Sequence, residues 1–151
     1  MRVGEWQTRY RPEEGVLSRR IISVMGIIRL PIGIRATPKR KPLRTEAMVD
    51  TGASYTVVPR DLAKRVGLRA SFTRPVHLAD GRIGHFGVAT ALVKVDGREA
   101  PVTVFISPRG EVLLGAESLE ILGITVDPRG RRLKMGRWYG LSAASVLGGH
   151  P

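Results

Sequence analysis

Asp50, Thr51 and Gly52 form the segment of this sequence best suited to chemistry. Asp50 follows the apolar residues 47–49, which predict a strand, and Gly52 predicts a turn. An acid is therefore predicted directly after a strand. A single carboxylate activates water poorly at ordinary pH. A second carboxylate that shares one proton with it lets one group act as base while the other, neutral, acts as acid. Asp50 is therefore predicted to be half of a paired acid–base site.

The second carboxylate is predicted to come from another copy of the chain. The other Asp-Gly pairs, at Asp80 and Asp96, lack the threonine and the apolar lead-in that mark Asp50. The chain of 151 residues fits one domain with a modest core and leaves no room for two lobes. A two-fold homodimer with Asp50 near its axis would bring the two carboxylates together.

Short runs of apolar residues between turn residues predict an all-β fold with one or two short helices. The chain is 42% hydrophobic and contains 18 Gly and 10 Pro, enough to separate many short strands. Strands are predicted at 24–35, 44–49, 56–58, 73–79, 82–95, 99–107, 112–114, 123–127 and 131–135, and helices at 59–66 and 116–122. Hairpin turns are predicted at 80–81, 96–97 and 128–130.

Three regions are predicted along the chain: a flexible N-terminal extension at 1–24, a folded domain at 25–139 and a mobile tail at 140–151. The apolar run at 21–34 is interrupted by Arg29 and Pro31. It is shorter than the ~20 residues of a membrane-spanning helix. Its alternating Ile and Leu residues favour a strand, so no membrane association is expected.

The net charge of +12 lies mainly in residues 1–45, which hold 11 Lys/Arg and 3 Glu. The densest run, 38–44, is predicted to be an exposed loop, and solvation explains it more simply than a polyanion site. The charge distribution therefore does not predict a nucleic-acid partner.

Metal and cofactor sites are not expected. The chain has no cysteine, and His77, His85 and His150 lack the spacing of metal ligands. A cysteine-free chain is compatible with a reducing compartment, and a cytoplasmic location is predicted.

The order of three elements resembles the retroviral-type (retropepsin-like) aspartic proteases, in particular their small prokaryotic members. The elements are residues 49–54, then Thr56-Val57-Val58-Pro59 before a short helix, and, after a long hairpin, Leu113-Leu114-Gly115 leading into a second helix. The resemblance runs from about residue 25 to 135. It implies a single-lobe acid-protease barrel that acts as a homodimer on peptide or protein substrates.

The resemblance also implies roles for the residues around the acid. Asp50 would polarise the attacking water, and Thr51 would bond across the dimer beneath the two acids. Gly52 would let the backbone approach the carboxylates. Ala53 and Ser54, next in the chain, would contact substrate.

Residues 77–84 take the place of the family's flap, the hairpin that closes over bound peptide. Ala79, Asp80, Gly81 and Arg82 are therefore expected to contact substrate. An ordinary hairpin turn would have the same sequence.

Two positions depart from the retroviral pattern. The family commonly pairs an acid two residues after the first glycine with an arginine after the second, where this chain has Ser54 and Ala116. The dimer is therefore expected to be braced differently.

Aspartic endopeptidase activity is the function predicted from the sequence. One alternative keeps the fold without catalysis, as a dimeric module that binds peptide or protein. A second and weaker alternative is a basic protein associated with nucleic acid.

Overall fold

The computed structural model describes residues 27–127 and 132–136, together with the backbone of three short strand segments at 10–11, 16–17 and 22–24. The strands are β1 (Tyr10–Arg11), β2 (Val16–Leu17), β3 (Ile22–Val24), β4 (Ile27–Arg35), β5 (Leu43–Val49), β6 (Thr56–Pro59), β7 (Phe72–His77), β8 (Ile83–Val95), β9 (Arg98–Ser107), β10 (Val112–Leu114), β11 (Ile124–Asp127) and β12 (Arg132–Met135). The helices are α1 (Arg60–Val66) and α2 (Ala116–Ile121).

Six strands close into a barrel in the order β4-β5-β10-β6-β9-β8, because β8 also pairs with β4. The closing contact joins Ile34 to Val93 at the middle of a short antiparallel register. Most neighbours are antiparallel, but β10 runs parallel to β5 and β6 runs parallel to β9. The predicted all-β barrel with two short helices is confirmed.

The barrel interior is lined by side chains that alternate along each strand. Ile28, Leu30, Ile32 and Ile34 of β4 are buried while their neighbours are partly exposed. This period of two is the pattern that the sequence displays. Burying each such side chain contributes roughly 1.5–3 kcal/mol, so the alternation fixes which face of β4 turns inward.

The two helices close the barrel with short apolar faces. α1 begins directly after Pro59 and ends at Gly67, whose φ of 77° suits a residue without a side chain. Its buried residues are Leu62, Ala63 and Val66. α2 follows β10 after Gly115, so both helices start where a barrel strand ends.

β7 and the first part of β8 form a hairpin that extends beyond the barrel. β8 pairs with β9 only from Gly87 onward, while residues 83–86 pair with β7 alone. At the exit point a Cβ on Gly87 would lie 2.7 Å from the Cβ of Ala70. This close approach explains why a glycine stands where the hairpin leaves the barrel.

The strand predicted at 24–35 is wrong in one respect, because the structure divides it into β3 and β4. These two strands pair antiparallel, with Ile22 opposite Arg29 and Val24 opposite Ile27. Only two residues separate them, and one is a glycine, so the chain reverses near the start of the predicted strand.

Several predictions fall wholly or partly outside the described residues: most of the N-terminal extension, the turn at 128–130, His150 and the tail at 140–151. The backbone of β2 pairs with β12 through Val16 and Lys134. The boundary at residue 24 stays a prediction. No helix in the described part of the chain is long and apolar enough to cross a membrane.

Candidate active site

Asp50 lies at the end of β5, where the strand runs beside β10. The parallel register places Val49 opposite Leu114, and the Asp50 N–H donates to the Leu114 carbonyl at 3.0 Å. The ladder between β5 and β10 therefore continues up to the acid. Because β10 is itself paired with β6, the backbone of Asp50 is anchored to the barrel wall.

Hydrogen bonds within the loop orient the carboxylate. The Gly52 N–H donates to Asp50 Oδ1 at 3.0 Å, and the Ala53 N–H donates to the Asp50 carbonyl at 3.2 Å. A Cβ on Gly52 would lie 3.3 Å from Oδ1, a tight contact. Glycine therefore allows the close approach of backbone and carboxylate that the sequence predicted. The Asp50 side chain is half-buried, so one side of it still reaches solvent.

The start of α2 supports the loop from the far side. The Ala116 N–H donates to the Ala53 carbonyl at 2.8 Å, and the Glu117 N–H donates to the Ser54 carbonyl at 3.0 Å. A Cβ on Gly115 would overlap the backbone of Tyr55. Residues 114–117 therefore pass directly beside the acid loop and support it.

Two buried hydroxyls lie beneath this junction, and sequence reasoning missed both. Thr56 and Ser118 are fully buried, with their hydroxyl oxygens 2.5 Å apart. The Gly115 N–H donates to Thr56 Oγ1 at 3.2 Å. The available signal was a polar residue at a core-facing position of each element, Thr56 at the start of β6 and Ser118 on the inner face of α2.

The remaining predicted residues of the loop lie on its outer side. Thr51, Gly52 and Ser54 are exposed, and Ala53 is half-buried. An exposed Thr51 at the tip of the loop is available to a second copy of the chain, which is the contact that the resemblance implies. Its role across a dimer stays a prediction.

The proposed flap residues occupy the turn between β7 and β8. The Asp80 carboxylate accepts the Arg82 N–H at 3.0 Å on Oδ1 and Arg82 Nε at 2.6 Å on Oδ2. Gly81 adopts a φ of 83°, and its N–H donates to the Leu78 carbonyl at 3.0 Å. Ala79 is exposed beside them.

The structure thus gathers the predicted site residues into two groups. In the first group, residues 50–54 are hydrogen-bonded to residues 114–117. The second group is the hairpin turn, where the hydrogen bonds found for residues 78–82 link residues of the turn to one another. The hairpin is well exposed, with Phe72 at 52% and Ile83 at 58% of full exposure. Exposed elements of this kind open locally at a lower free energy than a barrel core.

Ser54 and Ala116 cannot form the family's ion pair, but a hydrogen bond and an ion pair lie near these positions. Glu117 accepts the Thr103 N–H at 2.8 Å, which ties α2 to β9. Arg29 of β4 pairs with Glu111, just before β10. That hydrogen bond raises the pKa of Arg29 above its ordinary value and lowers the pKa of Glu111.

In the ranges that the structure describes, no group of three His, Cys, Asp or Glu side chains could hold a metal ion. His77 and His85 are both exposed on the hairpin. They do not lie opposite each other, because His77 is in register with Ile83 and His85 is in register with Pro75.

Comparison with known proteins agrees with this geometry. Residues 40–121, more than half of the chain, match the profile of the gag-polyprotein aspartyl protease family. The chain belongs to this family. The match includes the acid loop, the hairpin, β10 and α2.

Solved structures with the same fold are retroviral and bacterial. A retropepsin-like aspartic protease from Rickettsia conorii is 20% identical, with a TM-score of 0.51 over 71% of this chain and 80% of that one. The EIAV protease in complex with the inhibitor HBY-793 is 19% identical, with a TM-score of 0.50 over 63% and 86%. The simian foamy virus (mac) protease is 26% identical, with a TM-score of 0.46 over 62% and 93%. Among curated proteins, the sequence comparison found no match.

Proposed function

We propose that this family member is an aspartic endopeptidase whose active site is completed by a second copy of the chain. The observation that carries the proposal is the Asp50 carboxylate, oriented by the Gly52 N–H at 3.0 Å on a loop locked to β10 and α2. One Asp-Thr-Gly sequence occurs in the chain, so a pair of such carboxylates requires two chains.

In the proposed reaction the two Asp50 carboxyl groups share one proton. The ionised group removes a proton from a water molecule as the water oxygen attacks the peptide carbonyl carbon. The protonated group donates its proton to the carbonyl oxygen, which gives a neutral tetrahedral diol. Collapse of the diol, with a proton passed to the departing amide nitrogen, breaks the C–N bond and restores the shared proton.

Rigid support of each acid is important for this chemistry. Catalytic groups act efficiently only when they are held close to the reacting geometry. Hydrogen bonds to the Asp50 backbone and side chain, together with the buried Thr56–Ser118 pair below, restrict where the carboxylate can lie. Thr51, exposed at the loop tip, is proposed to bond the partner loop and so set the distance between the acids.

Substrate is proposed to bind as an extended chain between the acid loop and the hairpin turn. Ala53 and Ser54 would contact it from below, while residues 79–82 would close over it from above. Because Asp80 and Arg82 pair with each other, the turn presents little net charge to the peptide. Backbone groups of the turn, and not these two charges, are then expected to hold the substrate.

The test is cleavage of a diverse peptide mixture by the full chain, compared with Asp50→Asn, between about pH 3 and pH 8, where a coupled carboxyl pair can hold one proton. Loss of cleavage in the variant, with the dimer retained in solution, supports the proposal. A folded, dimeric wild-type chain that cleaves no peptide would instead favour a binding module. A cytoplasmic location remains a prediction and needs a separate fractionation experiment.

A further inference from the structure

A basic cleft lies at the end of the barrel away from the acid loop. It has a volume of about 450 Å³ and is lined by the last residues of the β4–β5 loop and the last turn of α1, namely Arg40, Lys41, Pro42, Leu43, Arg65 and Val66. Leu43 begins β5 and Asp50 follows its end. At about 3.3 Å per residue, the strand separates the cleft from the acid by roughly 20 Å.

The cations around this cleft form a concentrated and exposed group. Residues 36–44 and 60–69 contain eight Lys and Arg and one acid, Asp61. All eight are exposed: Lys39, Arg40, Lys41, Arg44, Arg60, Lys64, Arg65 and Arg69. None of them is in a salt bridge found in the described residues. Their charge is therefore available to a ligand, whereas the cations Arg29 and Arg35 are paired with acids.

The loop that carries three of these cations is held in place. Arg35 Nη1 donates to the carbonyls of Pro38 and Arg40, at 2.9 and 3.2 Å, and the Arg35 guanidinium is paired with Glu99. The Arg40 N–H donates to the Thr37 carbonyl at 3.2 Å. A basic run that reads as a solvated loop in the sequence is thus folded against the barrel, which reduces the entropy lost when it binds a ligand.

The fold also adds a contact that the sequence does not show. The Arg40 guanidinium lies over Gly67, so close that a Cβ at Gly67 would be 2.6 Å from Arg40 Nη1. Arg40 is thereby held over the end of α1, next to Arg65 across the cleft. Both arginines line the cleft, and arginine is the side chain that gives a phosphate paired hydrogen bonds.

We propose that this cleft binds the phosphate backbone of a nucleic acid. Neither 36–44 nor 60–69 contains an aromatic residue, so the contacts would be to phosphates and independent of base sequence. A protein partner fits less well, because neither segment contains the aromatic residues or methionine that are enriched at protein interfaces. The proposal does not depend on proteolysis, since the cleft lies away from Asp50.

The test measures binding of a fluorescent 20-nucleotide RNA of mixed sequence to the full chain by anisotropy, at several salt concentrations. Arg40→Gln/Arg65→Gln is compared with Arg74→Gln/Arg109→Gln, which removes the same charge from exposed sites outside the cleft. Each lost phosphate contact lowers the slope of log K against log salt by about 0.7. The cleft variant is therefore expected to bind about 25-fold more weakly at 0.1 M salt, with a slope smaller by about 1.4.

Equal losses in the two variants would overturn the proposal, because binding would then follow total charge and not the cleft. Undetectable RNA binding by the wild-type chain at low salt would overturn it as well. Tighter binding to poly-glutamate, or to vesicles of anionic lipid, than to RNA would assign the cleft to an acidic peptide or to a membrane surface instead. Thermal unfolding of both variants confirms that the comparison is between folded proteins.

Discussion

Replacing Thr56 with valine should destabilise the protein through the support beneath the acid loop. Valine keeps the shape of threonine but removes the hydroxyl that accepts the Gly115 N–H and bonds Ser118. Both former partners are then left buried without a hydrogen bond, and each such group costs about 1–3 kcal/mol. The free energy of unfolding should fall by about 2–4 kcal/mol.

Ser118→Ala supplies an internal comparison. The Gly115 N–H keeps Thr56 as its acceptor in that variant, so one hydrogen bond is lost and the expected cost is about 1 kcal/mol. Thr56→Ser should retain most of the stability, because it preserves the hydroxyl. Thr90→Val, an exposed threonine of β8, is the matched control and should change stability by less than about 0.5 kcal/mol.

The assay is urea unfolding of the wild-type chain, the four single variants and one double variant, followed by circular dichroism at constant protein concentration. The double variant Thr56→Val/Ser118→Ala should be less destabilised than the sum of the two single changes, since they remove the same hydrogen bond. Equal costs for Thr56→Val and Thr90→Val would refute the reasoning. Additive effects of the two buried changes would show that the hydroxyls do not act together.

Two further predictions concern the support and its ion pairs. Gly115→Ala should destabilise the fold by more than about 1 kcal/mol, because the added methyl would overlap the backbone of Tyr55; urea unfolding measures this, and a change within 0.5 kcal/mol would contradict it. Glu111→Gln removes a carboxylate whose pKa the hydrogen bond with Arg29 lowers below its ordinary value of 4.5. A lowered folded-state pKa stabilises the fold above that value, and the benefit is lost as the pH falls through the folded-state pKa. The Tm of the wild type should exceed that of the variant at neutral pH, and the gap should narrow as the pH falls below the ordinary carboxyl pKa of 4.5; a gap that is constant with pH would contradict the linkage.

Much of the barrel could be predicted from the sequence because its signals are local. The alternation of Ile28 to Ile34, the helix ended by Gly67 and the hairpin at Asp96-Gly97 all depend on residues close together in the chain. Asp96 and Gly97 adopt φ values of 49° and 82°, which the tight turn requires.

The parts that could not be predicted depend on residues distant in sequence. Thr56 and Ser118 form a hydrogen bond only because β6 and α2 pack together. The sequence around either residue does not indicate the other as its partner. In the same way Arg65 and Arg40 line one cleft only after α1 has folded beside the β4–β5 loop. Sequence reasoning located the basic run but could not show that a second group of cations faces it.

The acid–base role of Asp50 is a prediction from its type and surroundings, and the pairing of two such acids is the central proposal. A mixing experiment tests it most directly. Wild-type and Asp50→Asn chains are combined in equal amounts, allowed to exchange subunits, and assayed for peptide cleavage at a fixed total concentration.

If each active site needs Asp50 from both chains, only about a quarter of the dimers are active after exchange, so the rate should fall to ~25% of the wild-type rate. A rate near 50%, as expected when each chain acts alone, would contradict the shared site, as would full activity of the Asp50→Asn chain.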